Sequence, residues 1–149
     1  MSKSDKVRLR PARSHERQEL EDLQRRASLA VPADRPQLEA HPDAIDLPLA
    51  VIERGEATVA ELDGNVAGFA VVQRHDGFIE LDGLFVEPEL WKRGVGRALV
   101  DAATHEARRS GHALLVIAGA DARGFYERCG FTLEGAAETR FGPALRMSR

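Results

Sequence analysis

Apolar and polar positions change period several times along the chain, and each change predicts an element. Val7-Arg8-Leu9-Arg10 alternates apolar with charged, the mark of a short half-buried strand, and Pro11 ends it. Leu20, Leu23, Ala27 and Ala30 then recur at helical spacing. They predict a helix from a Ser14 cap, with Glu16 in its first turn, to about Leu29. Prolines 32, 36, 42 and 48 break the next stretch. Residues 31–42 read as loop, followed by a weak helix over Asp43–Glu53 and a stop at Gly55. This irregular segment is open to two readings, a mobile lid over a substrate site or a plain connection.

From Ala57 the period becomes two. Thr58–Leu62, a turn at Asp63-Gly64-Asn65, and Val66–Gln73 predict a hairpin; His75-Asp76-Gly77 turns again into a third strand, Phe78–Val86. After Gly94 the period returns to helical, with Val95, Ala98, Leu99 and Ala102 on one face. Arg108 and Arg109 suit the last turn, and Gly111 the stop. His112–Ile117 is a continuous apolar run, the kind buried on both faces. Strand, helix, strand at this spacing is a crossover, so the strands ending at Val86 and beginning near His112 should be parallel. Asp121 is placed to cap a short helix, Ala122–Cys129, which Gly130 ends. Phe131–Leu133 and Ala144–Met147 read as closing strands, with Pro143 marking the last as an edge candidate.

Composition narrows the class without naming it. A chain of 149 residues, 43% hydrophobic and 30% charged, is expected to be one globular domain over residues 1–149, with residues 1–6 as a disordered leader. No apolar run approaches the ~18 residues of a membrane span, and the polar N-terminus lacks a signal segment, so a cytoplasmic location is the default expectation. The single Cys129 excludes an internal disulfide and suits a reducing compartment. The five histidines show no ligand spacing, so no metal is expected. A net charge of −3 with no extended basic stripe argues against nucleic acid.

Against that acidic background, Asp82–Val100 stands out. A strand reaches Val86, Pro88 turns the chain, and Lys92, Arg93 and Arg97 surround a Gly94-x-Gly96 pair that opens a helix. A helix start offers unpaired N–H donors and the positive end of the dipole, which makes a local anion site. Ordinary turn glycines are the other reading. A dinucleotide fingerprint fails because Leu99 occupies its third glycine position, and a Walker loop fails for want of Gly-Lys-Ser/Thr.

Val86-x-Pro88 followed by Arg93-Gly94-Val95-Gly96-Arg97-Ala98-Leu99 resembles the acyl-CoA-binding motif Arg/Gln-x-x-Gly-x-Gly/Ala of the GNAT superfamily of N-acetyltransferases. Trp91 stands at the Arg/Gln position and cannot donate to a phosphate as Arg would, although the three basic residues nearby supply charge. A second stretch, Ala122-Arg123-Gly124-Phe125-Tyr126-Glu127-Arg128-Cys129-Gly130-Phe131, resembles the family's Ala-x-x-Phe-Tyr-x-x-x-Gly-Phe pattern. Gly119 stands where the family often has Asn. The two motifs fall in the right order, separated by a helix and a strand, and the resemblance covers roughly residues 57–147.

The resemblance implies an α+β fold: a mixed, mostly antiparallel sheet of about six to seven strands flanked by about four helices. It implies acetyl-CoA as acyl donor, with the backbone of Leu84, Phe85 and Val86 binding the pantetheine arm as an added strand would. The cofactor set it implies continues through Lys92, Arg93, Gly94, Val95, Gly96, Arg97 and Ala98, with Arg123 and Tyr126. Tyr126 matches the family's general acid, and its alternative is an anchor between helix and sheet. Glu80 lies where some relatives carry a general base. Asp82 shares its face of the strand, so either carboxylate is a candidate base, and lining a pocket or meeting solvent are the other readings of both. Cys129 has no His beside it in sequence and reads as structural. The expected activity is direct acetyl transfer to a primary amine of a small molecule or peptide. A CoA-binding regulatory module without transfer is the alternative. No membrane partner is expected, and the edge strand offers a route to a homodimer.

Overall fold

In the computed structural model, which describes residues 6–149, the alternating stretches become strands. They are β1 (Val7–Pro11), β2 (Ala57–Leu62), β3 (Asn65–His75), β4 (Phe78–Val86), β5 (Leu114–Ala118), β6 (Thr132–Thr139) and β7 (Gly142–Ser148). Between them lie α1 (Arg17–Leu29), α2 (Arg35–Ala40), α3 (Leu49–Glu53), α4 (Val95–Arg109) and α5 (Arg123–Arg128), with short 3-10 turns at several junctions. The expected leader falls outside the described residues except for Lys6, which is exposed.

The strands form one seven-stranded mixed sheet in the order β1-β2-β3-β4-β5-β7-β6. The crossover expectation holds: β4 and β5 run parallel, pairing Ile79, Glu80 and Leu81 with Leu114, Leu115 and Val116. The ladders β1–β2, β2–β3, β5–β7 and β6–β7 are antiparallel. Asp63 at φ 54° and Gly64 at φ 82° make the two-residue turn that matches strand twist, which is why Asp-Gly stands there.

The chain divides into two compact units, and β3, β4 and α4 each pass from one into the other. The first holds residues up to Val71 with Gly83–Leu99. Its core gathers Leu20, Leu23 and Ala27 of α1, Leu47, Val51 and Ile52 around α3, Ala57 and Val59 of β2, and Phe69 and Val71 of β3. A polar knot ties its N-terminal strand down. Arg10 gives Glu16 two hydrogen bonds of 2.9 and 2.7 Å and Glu61 one of 2.7 Å, while the Arg13 amide adds another to Glu16 at 2.8 Å. Glu16 is only 5% exposed. Arg10's hydrogen bonds outweigh the cost of burial and, with the Arg13 amide, hold its carboxyl at about 2. The second unit, Val72–Asp82 with Val100–Arg149, buries Ile79, Leu81, Val100, Leu114, Val116, Cys129, Phe131 and Met147.

Several expectations need correction. Ser14 does not cap a helix; it opens a 3-10 turn, and Glu16 reaches back to the Arg13 amide instead. Residues 31–42 are not all loop, because Pro36 lies in the first turn of α2, where its missing N–H has no helical partner to lose. Asp43–Glu53 is not one helix: Pro48 caps α3 and leaves Pro42–Ala44 as a separate 3-10 turn. Asp121 sits inside a 3-10 turn and makes no cap to α5. The buried stripe of α4 is Val95, Leu99, Ala103 and Ala107, with Ala98 and Ala102 half-buried beside it.

The closing strands differ most. The strand expected at Phe131–Leu133 is the eight-residue β6, and β7 is interior, inserted between β5 and β6. Pro143 is tolerated there because the β5 register stops at Ala118–Leu145, leaving Pro143 opposite only Glu138 of β6.

Candidate functional site

The end of β4 is shaped by a glycine on its neighbour. A Cβ at Gly68 would lie 2.6 Å from the Phe85 carbonyl oxygen and 3.2 Å from the Val86 Cα, so only glycine lets the two backbones come this close. Phe85 leans its ring on Phe69, centroids 5.2 Å apart. The Glu87 amide then donates to the Ala67 carbonyl at 2.9 Å. The Glu87 carboxylate takes a bidentate pair from Arg26, Nε at 3.0 Å and Nη2 at 2.6 Å, tying the last turn of α1 to the residue after β4. Leu84, Phe85 and Val86 are themselves half-buried.

Beyond a 3-10 turn at Pro88–Leu90, the chain enters the basic glycine loop. Lys92 adopts φ 69° and Gly94 φ 85°. The left-handed region costs a residue with a Cβ about 1–2 kcal/mol, so Lys92 marks a loop whose shape is imposed by its surroundings. Left-handed residues in such a turn aim successive N–H groups into one concavity, which attracts anions. The first helical bond of α4 runs from the Ala98 amide to the Gly94 carbonyl at 3.0 Å, and the N–H groups of Val95 and Gly96 precede it at the positive end of a fifteen-residue helix. Lys92, Arg93 and Arg97 are exposed around this end. Trp91 donates its indole N–H to the Val86 carbonyl at 2.9 Å, closing the segment between β4 and the loop.

The second unit holds Tyr126, Glu80 and Arg123. Tyr126 is 7% exposed, wedged edge-on between Phe125 and Phe131 with centroids 5.0 and 5.2 Å away. Burial, and then the neighbouring Cys129, push its phenol well above the ordinary tyrosine value, so it keeps its proton. Among the described residues no fully buried side-chain oxygen or nitrogen lacks a partner, and none of them hydrogen-bonds to the Tyr126 hydroxyl. The ring is therefore enclosed while its hydroxyl keeps access to solvent. Glu80 meets His75 Nε2 at 2.9 Å, and the His75 ring stacks on Phe78 at 4.5 Å. Asp82, on the same face, is exposed. Arg123 is paired with Glu127 one turn on, at 3.0 Å. Cys129 is a buried free thiol.

Sequence reasoning named the loop, the β4 backbone, Glu80, Arg123 and Tyr126. It missed Gly68, although an isolated glycine inside a strand pattern is a signal of close backbone approach. It also missed the Arg26–Glu87 pair, which joins residues that no local pattern connects, and the His75–Glu80 pair, which spans the turn between β3 and β4. A separate cleft of about 440 Å³ is lined by Arg8, Leu9, Arg10, Arg13 and Glu61, none of them in the loop or the strand leading into it. Among the described residues no helix is long and apolar enough to cross a membrane, and no group of three metal-binding side chains is found.

Comparison with known proteins points the same way. Residues 17–131 match the family model described as the acetyltransferase (GNAT) family. PaiA N-acetyltransferase from Thermoplasma acidophilum, solved in complex with coenzyme A, superposes with a TM-score of 0.77 at 17% identity, over 97% of this chain and 98% of that one. The yncA protein of Salmonella typhimurium, solved with its cofactor acetyl-CoA, gives 0.71 at 19% identity over 97% and 93%. Nourseothricin acetyltransferase is 35% identical over 62% of each chain, with a TM-score of 0.56. No curated protein sequence matches the chain.

Proposed function

Because the chain belongs to the acetyltransferase (GNAT) family, we propose that it moves an acetyl group from acetyl-CoA to a primary amine by direct transfer in a ternary complex. The observation that carries the reading is the loop itself. β4 runs into a turn with Lys92 and Gly94 in the left-handed region, and α4 opens immediately behind it. That arrangement suits a pyrophosphate, with amides from Arg93 to Arg97 as donors, the Ala98 amide being already engaged by the Gly94 carbonyl, and with Lys92, Arg93 and Arg97 as balancing charge. The Leu84–Val86 backbone holds the pantetheine arm. The Val86 carbonyl already accepts from the Trp91 indole N–H.

Tyr126 supplies the acid. As the amine nitrogen bonds to the thioester carbon and the carbon–sulfur bond breaks, the phenol donates its proton to the departing sulfur; a tyrosine held neutral by burial is suited to this. Glu80 takes the proton lost by the acceptor amine, directly or through one water, with His75 hydrogen-bonded behind it. The partial likeness to nourseothricin acetyltransferase makes nourseothricin the first acceptor to try, ahead of other small amines and peptide N-termini.

The test is release of CoA thiol from acetyl-CoA across a panel of such amines, with mass spectrometry of the products. One strongly acetylated amine is the expected result. Tight acetyl-CoA binding with no transfer to any amine would favour a CoA-binding regulatory module in place of an enzyme.

A further inference from the structure

Trp91 is 44% exposed, yet its one polar group is already used inside the protein, on the Val86 carbonyl. The other large hydrophobic residues that stand in solvent among the described residues, Leu9, Leu49 and Leu133, are aliphatic. A hydrogen bond at the pyrrole edge prevents the indole from rotating freely, so its faces are presented in a fixed direction beside the loop. Lys92 at φ 69° follows at once, and Gly94 at φ 85° lies two residues further on. A rigid aromatic face next to a phosphate-binding turn is what a nucleobase requires: stacking on a ring that loses little freedom when the ligand arrives.

We propose that Trp91 is the platform for the purine ring of the acyl donor, stacking the base while the loop amides hold the phosphates. The proposal rests on the acyl-CoA reading of the same loop. It gives the off-pattern tryptophan a task different from that of the Arg or Gln it replaces: the aromatic face binds the base, and the N–H braces the end of β4.

The sequence contains one tryptophan, so its emission reports on this position alone. Purified protein is titrated with CoA, with adenosine 3′,5′-bisphosphate and with pantetheine, while calorimetry measures binding in parallel. The expected result is saturable quenching by CoA and by the bisphosphate, and none by pantetheine, which carries no aromatic ring. Trp91→Ala should weaken CoA binding about tenfold, in line with measured base–aromatic stacking, whereas Trp91→Phe, which keeps a ring, should stay within about threefold. Two results overturn the platform while leaving the acyl-CoA reading intact: CoA binding seen by calorimetry with unchanged emission, or a Trp91→Ala affinity equal to the parent's. A folded parent protein, verified by circular dichroism, that binds no CoA in calorimetry overturns both.

Discussion

A phenol that is to protonate a leaving group must hold its proton until that moment, and Tyr126 is built to do so. Its ring is sealed between Phe125 and Phe131, and its ionisation is pushed upward by burial. Tyr126→Phe is expected to lower turnover about 100-fold, the usual worth of a positioned acid, with CoA affinity unchanged by calorimetry. Equal turnover would remove the acid role. Since the shift is upward, loss of this proton should not reduce activity at any pH below about 10, the ordinary tyrosine value. Gly68 makes a second demand at this scale. Gly68→Ala forces the new methyl against the Phe85 carbonyl, 2.6 Å away, so the end of β4 must move. Overpacking of this kind costs about 1–3 kcal/mol. Chemical denaturation should show that loss, and KM for acetyl-CoA should rise more than kcat falls.

Between elements, two ion-pair ties set the frame of the first unit. The nearly buried Glu16 joins β1, the start of α1 and β2 through Arg10. Its folded pKa, about 2, lies below the ordinary glutamate value of 4.5, so the stabilisation is full above pH 4.5 and is lost as pH falls toward 2. The shift corresponds to about 3 kcal/mol at most. Melting curves of the parent and Glu16→Gln should therefore be well separated at pH 6 and converge toward pH 2; a constant gap would mean that packing, not charge, is what the variant loses. The Arg26–Glu87 pair is more open, with half of the arginine side chain in solvent, and should contribute only about 0.5–1 kcal/mol to stability. Its position after β4 gives it a different readout. Arg26→Ala and Glu87→Ala should each raise KM for acetyl-CoA, and the double variant should do no more than either alone, a non-additivity that a double-mutant cycle measures directly.

For the whole chain, charge is unevenly spread: a net −3 surrounds a loop bearing Lys92, Arg93 and Arg97. Raising salt from about 20 to 200 mM should weaken CoA binding about threefold or more and leave pantetheine untouched, because only the phosphates feel that local field. What was legible in the sequence follows the same division between local and distant. The run from Ala57 to Ile117 declares itself because Asp63-Gly64, strict alternation and a helix ending at Gly111 are all short-range signals. Pro36 and Pro48 misled, since proline forbids the middle of a helix but favours its start, and a bare sequence does not say which is meant. The site was half legible: the loop and Tyr126 carry motifs, whereas Glu87 meets Arg26 across 61 residues of chain.

The insertion of β7 between β5 and β6 matters while the protein is being made. On the ribosome, β5, α5 and β6 emerge in an order that invites β6 to dock directly beside β5, the seat that β7 later takes. At roughly 5–20 residues per second, the nascent chain spends about a second with that seat vacant. Codon choice between the two strands, or a chaperone waiting near the exit tunnel, would set how often the wrong strand sits down first.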